Sequence, residues 1–173
     1  MTRKAQIWIE TVIYTLIGLA IIGILLNIVK PVIERKQDQI LIENSMAMLE
    51  NIKSAIEEVK YYGVGNTRTV EIQIKKGNLL FDSKSNMINF SAESRHKYSE
   101  PDQIVKKGGI NILTIPKTKT YDIILTLDYS NRIDLTWNNE DKIHTLQKAS
   151  VPYRIAVTNK GRLTGQNITL NFS

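Results

Sequence analysis

The sequence predicts an α+β protein in which a long N-terminal helical spine packs on a C-terminal antiparallel β-sheet or small sandwich. Three observations predict this fold class. An uncharged apolar run covers residues 11–29, a segment with apolar residues at helical spacing follows it, and from Thr67 onward the apolar period changes to two. Periods of 3.6 and 2 are typical of helix and strand respectively, and segregated elements are typical of α+β domains.

Length and composition limit the chain to one ordinary domain and an anchor. It has 173 residues, of which 42% are hydrophobic, and it contains no cysteine. Disulfides and cysteine-based metal or redox sites are therefore excluded. The net charge of +6 is dispersed over probable turns, which favours a solvated surface, so we expect no nucleic-acid partner.

The first element is an apolar helix over residues 6–30, which we assign to the membrane and to assembly. Residues 7–29 would extend about 35 Å as a helix, enough to cross a hydrocarbon core of about 30 Å. A secretory signal would end in a small-residue cleavage site followed by a polar chain. Here an amphipathic segment follows instead, which argues against cleavage after the run.

The second element is an amphipathic upper helix over residues 31–62. Pro31 removes one backbone hydrogen bond and is expected to kink the helix. Gly63 is well placed as the helix C-terminal cap. The apolar residues that predict one buried stripe are Ile33, Ile40, Leu41, Met48, Ile52, Ala55, Ile56 and Val59.

The third element is a β-rich head domain over residues 67–173. Alternating segments separated by turn clusters predict seven or eight short strands without intervening helices. Nine candidate segments for these strands lie at 69–74, 79–81, 87–90, 110–115, 121–127, 133–137, 142–146, 152–158 and 167–172, with residues 91–109 as a long surface loop.

Glu10 is the residue of the apolar segment that most requires an explanation. A carboxylate inside a membrane span costs about 2.5 to 3.5 kcal/mol even on lenient insertion scales, so it usually has a partner or a function. The structural alternative is that Glu10 lies near enough to the interface to reach headgroups or water.

The N-terminus resembles the class III signal peptide of archaeal type IV pilins and archaellins. The resemblance covers about the first 30 residues and is carried by Lys4-Ala5-Gln6-Ile7-Trp8-Ile9-Glu10 followed by Thr11-Val12-Ile13-Tyr14-Thr15-Leu16-Ile17-Gly18. It implies a leader of residues 1–5, with basic residues Arg3 and Lys4, cleaved between Ala5 and Gln6 on the cytoplasmic side by a prepilin peptidase. Many such leaders carry glycine where this chain has Ala5.

The same resemblance implies a role for Glu10. It would be the fifth residue of the mature chain and would pair with the N-terminal amine of a neighbouring subunit during assembly. Such an ion pair would relieve two desolvated charges at once.

No motif in the chain points to catalysis. Walker A, Gly-x-Gly-x-x-Gly and Gly-x-Ser-x-Gly sequences are absent, and His96 and His144 lack neighbours at metal-ligand spacing, so we expect no enzyme activity, cofactor or metal. Three sequons make Asn89, Asn167 and Asn171 candidates for N-glycosylation. The Asn, Ser and Thr content of the chain alone predicts a similar number of sequons.

The expected function is that of a structural subunit of a type IV pilus-like surface filament. Its expected partners are copies of itself, the membrane, the prepilin peptidase and the pilus assembly machinery. The N-terminus would be cytoplasmic and the head domain outside. Two alternatives stay open at this point, a membrane-anchored extracellular binding domain and a minor pseudopilin of a secretion or DNA-uptake system.

Overall fold

The computed structural model of the chain describes residues 3–163 and 167–173, with side chains from Trp8 onward. One helix, α1, covers Arg3–Tyr62 and contains Pro31. Within the described residues, ten strands follow it: β1 Thr67–Ile72, β2 Asn78–Asp82, β3 Met87–Ser94, β4 Ile104–Lys107, β5 Ile110–Pro116, β6 Tyr121–Asp128, β7 Ile133–Trp137, β8 Ile143–Gln147, β9 Tyr153–Gly161 and β10 Ile168–Phe172. The fold class is α+β, as the sequence predicts.

The chain divides into two units, Met1–Gln37 and Asp38–Ser173. In the first unit, the described residues are helical throughout. The second unit contains the rest of the helix, residues 38–62, together with all ten strands. The boundary lies within the segment 31–62, so only part of that segment belongs to the β-rich unit.

The ten strands form two sheets. The order is β1-β9-β10-β7 in the four-stranded sheet and β4-β5-β6-β3-β2-β8 in the six-stranded sheet. Among the strands of the described residues, the pairings are antiparallel except that of β10 with β7, in which Ile168 lies beside Ile133 and Phe172 beside Trp137. The first sheet is therefore mixed, whereas the sequence patterns predict an antiparallel one.

A single hydrophobic core joins residues 38–62 of α1 to both sheets. The helix contributes a stripe that is almost completely buried, formed by Ile42, Leu49, Ile52, Ile56 and Val59. Phe81 of β2 lies with its ring centroid 5.0 Å from that of Trp137 and 5.0 Å from that of Phe172. Because Trp137 and Phe172 belong to the other sheet, these rings connect the two sheets.

Two predictions of local structure were wrong. Ile33 and Ile40 are exposed, about half of each side chain being accessible, so the buried stripe begins at Ile42. Residues 91–109 are not one loop, because β3 extends to Ser94 and β4 occupies Ile104–Lys107. The helix end at Tyr62 is confirmed, with Gly63 at φ +86° as its cap.

Candidate functional site

The apolar half of α1 is exposed within the chain. An 18-residue stretch of the helix reaches a mean hydropathy of 2.6, none of it is buried, and the helix is long and apolar enough to cross a membrane. The exposed large apolar residues of this segment extend from Trp8 to Ile33 and lie on every face of the helix. A helix that is apolar all round is stable only in a bilayer or inside a larger assembly.

Two polar side chains of this segment bond to the helix itself. The Thr15 hydroxyl donates to the Thr11 carbonyl oxygen at 2.8 Å, and the Asn27 amide donates to the Gly23 carbonyl oxygen at 3.0 Å. Such bonds satisfy polar groups without a partner helix, which suits a hydrocarbon environment. An ionised carboxylate only accepts hydrogen bonds, so an ionised Glu10 cannot donate to a helix carbonyl in this way.

The residues of the predicted leader are only partly described. Met1 and Thr2 lie outside the described residues, and so do the side chains of Arg3, Lys4, Ala5 and Gln6. Glu10 is exposed. Pro31 lies inside α1, which continues through it.

The three sequon asparagines have different environments. The Asn89 amide oxygen accepts a bond from the Thr126 hydroxyl at 2.7 Å, and the Asn167 amide donates to Asp134 at 3.2 Å. Asn171 is only 5% exposed. Its amide oxygen accepts from the backbone nitrogen of Asn139 at 2.5 Å. The folded chain therefore does not present Asn171 to a glycosylating enzyme.

Asp38, at the start of the second unit, is a buried carboxylate with two partners. It accepts from the Lys76 ammonium at 2.6 Å and from the backbone nitrogen of Arg95 at 2.7 Å. The residue is 8% exposed. The three residues are brought together by α1, the β1–β2 connection and the segment after β3. Because the pairing depends on tertiary contact, no local sequence signal predicts it.

A cleft of the second unit was also not predicted. Its inner space is about 150 Å³ and its outer space about 300 Å³, and the two share Gly109, Asp128 and Arg132. We call it the Tyr129 cleft. It is lined by Lys53, Glu57, Lys60, Lys106, Gly109, Asn111, Leu127, Asp128, Tyr129, Ser130, Asn131, Arg132 and Ile133.

Three elements build the Tyr129 cleft. The Lys53 ammonium donates to the Gly108 carbonyl oxygen at 2.7 Å, which holds the β4–β5 turn against α1. Gly108 and Gly109 adopt φ +61° and +86°, as a two-residue hairpin turn requires. The third wall is the β6–β7 turn, where Asp128 accepts from the Ser130 backbone nitrogen at 3.0 Å and from its hydroxyl at 2.7 Å.

The charged side chains of the Tyr129 cleft differ in the partners they have. Glu57 pairs with Lys60 at 3.0 Å. Hydrogen bonds from Ser130, with the charges of Lys106 and Arg132, hold the pKa of Asp128 below its usual value. Burial, with the nearby Glu57 carboxylate, raises the pKa of Tyr129. Within residues 3–163 and 167–173, the Tyr129 hydroxyl is buried without a hydrogen-bond partner.

Comparison of the chain with protein-family models, with characterised proteins and with solved structures found no match. Function must therefore be inferred from the residues and contacts described above.

Proposed function

We propose that this chain is the structural subunit of a type IV pilus-like surface filament. It is inserted in the membrane, cleaved between Ala5 and Gln6, and assembled through its N-terminal helix. The observation that carries the proposal is the apolar helix surface from Trp8 to Ile33, exposed on every face within the chain and containing one carboxylate, Glu10.

The exposed surface supports self-assembly in addition to anchoring. A bilayer can cover an apolar helix before assembly, and neighbouring helices can cover the same faces afterwards. Glu10 supports the second state, because a carboxylate near the end of an apolar span is stabilised by a cation supplied from a neighbouring subunit. Cleavage after Ala5 would create that cation, the new N-terminal ammonium, on each neighbouring copy.

The β-rich unit fits the outer part of such a subunit. Residues 38–62 of α1 are packed into the core of the sheets, whereas the large apolar side chains of the preceding segment are exposed. The N-terminus would lie on the cytoplasmic side and the sheets outside. The anchored binding domain and the minor pseudopilin share this arrangement. The requirement for the Glu10 charge and the abundance of the chain in filaments must therefore distinguish these two functions from that of a filament subunit.

We expect Glu10→Gln to abolish filament assembly while leaving insertion and leader cleavage intact. Glutamine keeps the size of the side chain but removes the charge that would pair with the ammonium, and it is cheaper to place in hydrocarbon. The measurement compares sheared surface fractions and electron micrographs at matched expression. Intact-mass analysis establishes whether residues 1–5 are removed.

Glu100→Gln is the matched control, because Glu100 lies in the second unit and pairs with Lys97 on the surface. It should assemble like the wild type. Normal filaments from Glu10→Gln would contradict the ion-pair mechanism. Absence of filaments from the wild type would favour the monomeric anchored domain, and a major species that retains Arg3 and Lys4 would exclude leader cleavage.

A further inference from the structure

We propose that the Tyr129 cleft binds an oxyanion of the phosphate or sulfate class. This proposal goes beyond the filament function and does not depend on it, since every residue involved lies in the second unit. Within the described residues, the cleft combines a buried hydroxyl that has no hydrogen-bond partner, that of Tyr129, with two exposed cations, Lys106 and Arg132.

The first argument is the Tyr129 hydroxyl. Tyr129 is 8% exposed and lines the inner space, while its hydroxyl has no partner in the part of the chain that the structure describes. Buried hydroxyls are almost always hydrogen-bonded, and each exception calls for an explanation. An acceptor atom bound in the inner space would accept a hydrogen bond from this hydroxyl.

The second argument is charge. Lys53, Lys60, Lys106 and Arg132 line the cleft against two carboxylates, Glu57 and Asp128. Each carboxylate is already engaged, by Lys60 and by Ser130 respectively. The charges of Lys106 and Arg132 act on Asp128, but over the described residues neither side chain forms a hydrogen bond or a salt bridge. The cleft therefore attracts anions and disfavours cations.

The third argument is the chemistry of the donors. The guanidinium of Arg132 offers a planar fork that suits two oxygens of one oxyanion, and the Lys106 ammonium adds a point charge. The tyrosine hydroxyl would add a neutral donor from the inner space. The outer space of about 300 Å³ is large enough for a bulkier group attached to the anion. The anion can thus be free in solution or a substituent of a surface polymer.

The test uses the full-length protein in detergent, with inorganic phosphate and sulfate as probes in equilibrium dialysis at constant ionic strength. The combined substitution Lys106→Gln and Arg132→Gln should weaken binding about tenfold or more, because two charge-assisted contacts are lost. Lys75→Gln with Lys119→Gln removes the same charge from exposed positions elsewhere and should leave binding within about twofold.

Tyr129→Phe separates a ligand contact from a purely structural role. Without a bound anion, the substitution should raise the thermal midpoint, because a buried unpaired hydroxyl is removed. Phosphate affinity should nevertheless fall by about threefold or more. An unchanged phosphate affinity would show that the hydroxyl does not serve the ligand and would overturn its assignment to the site.

Dextran sulfate and uncharged dextran distinguish the two sources of the anion. Binding of free phosphate or sulfate that depends on Lys106 and Arg132 supports a small free anion. The same dependence seen only with dextran sulfate supports a polymer-borne group.

The proposal is overturned if no probe binds, or if the control variant loses as much affinity as the cleft variant. Cleft variants should still form filaments, so the two proposals fail independently.

Discussion

His144 is a single titratable side chain whose environment depends on both sheets. Its ring, on β8, stacks on Trp137 of β7 with the ring centroids 3.9 Å apart and the planes at 14°. Burial, with a smaller effect from the Lys142 charge, lowers the pKa of His144 below its ordinary value of 6.5. The neutral form is therefore favoured in the folded state.

We predict that acidification destabilises the fold through His144. A histidine whose pKa is lowered by folding contributes stability that is fully present above the unfolded pKa of about 6.5 and is lost as the pH falls toward the folded pKa. The thermal midpoint should therefore drop between pH 7.5 and pH 5.5 in the wild type. His144→Gln should reduce that drop.

His96→Gln provides the control, because His96 lies outside the strands near Tyr98. It should retain the pH dependence of the wild type. An equal drop in the wild type and in His144→Gln would exclude His144 as its source.

Individual residues differ in how well the sequence predicts their roles. Gly63 is predicted as a cap from its position after a periodic segment, and the structure confirms it. The role of Glu10 in assembly stays a prediction. Asp38 and Tyr129 cannot be predicted in this way, because their surroundings come from distant parts of the chain. Only the folded structure brings the Lys76 ammonium to Asp38, or Lys53 and Glu57 of α1 to the turn containing Tyr129.

The turns between the elements contain two glycines that form a matched pair. Gly65, between α1 and β1, has φ +85°, and a Cβ atom added there would have no atom within 4 Å. Gly77, between β1 and β2, has φ +86°, but a Cβ there would overlap the Ser91 carbonyl oxygen and lie 2.8 Å from the Ala92 Cβ. The two sites share the backbone conformation and differ in the space around it.

We predict that Gly77→Ala is much more destabilising than Gly65→Ala. Alanine at Gly65 bears only the cost of the left-handed conformation, about 1 to 2 kcal/mol. Alanine at Gly77 adds the displacement of β3, which should bring the loss to about 3 kcal/mol or more. Denaturant titrations of the two variants against the wild type measure both values. Similar losses at the two positions would show that the β1–β2 connection can shift away from β3.

The elements found by periodicity are those with a strong pattern. β5, β6 and β7 alternate between buried and half-buried residues, and the sequence predicts all three. β4 is exposed at all four residues, so it has no alternating burial to produce a pattern. Ile33 and Ile40 have the right spacing for the helix stripe, but both are exposed. Ile33 precedes the packed part of α1, and Ile40 lies two residues from both buried Asp38 and buried Ile42, hence on the opposite face of the helix.

The sheet order depends on long-range pairing that no local pattern encodes. β8 joins the six-stranded sheet beside β2, while β10 is inserted between β9 and β7 in the other sheet. This arrangement makes β10 and β7 parallel even though most neighbours are antiparallel. Alternation predicts where a strand is and which face is buried, but it carries no information about its neighbour.

The division of the chain at Asp38 leads to the last prediction, which concerns two fragments. Residues 38–173 retain the helix stripe of Ile42, Leu49, Ile52, Ile56 and Val59, whereas residues 67–173 lack it. Burying one large aliphatic side chain contributes about 1.5 to 3 kcal/mol. Loss of the five together is therefore on the order of 10 kcal/mol, comparable to the whole net stability of a domain.

Fragment 38–173 should be soluble and unfold in one cooperative transition, since it omits the exposed apolar segment and keeps the core. Fragment 67–173 should bind the dye 8-anilinonaphthalene-1-sulfonate strongly, because removing the helix uncovers an apolar groove on the sheets. It should also lose cooperative unfolding. Circular dichroism and dye fluorescence of the two fragments provide the measurements. Cooperative unfolding of fragment 67–173 without dye binding would mean that the sheets close their own core, and that residues 38–62 stabilise the fold less than their burial indicates.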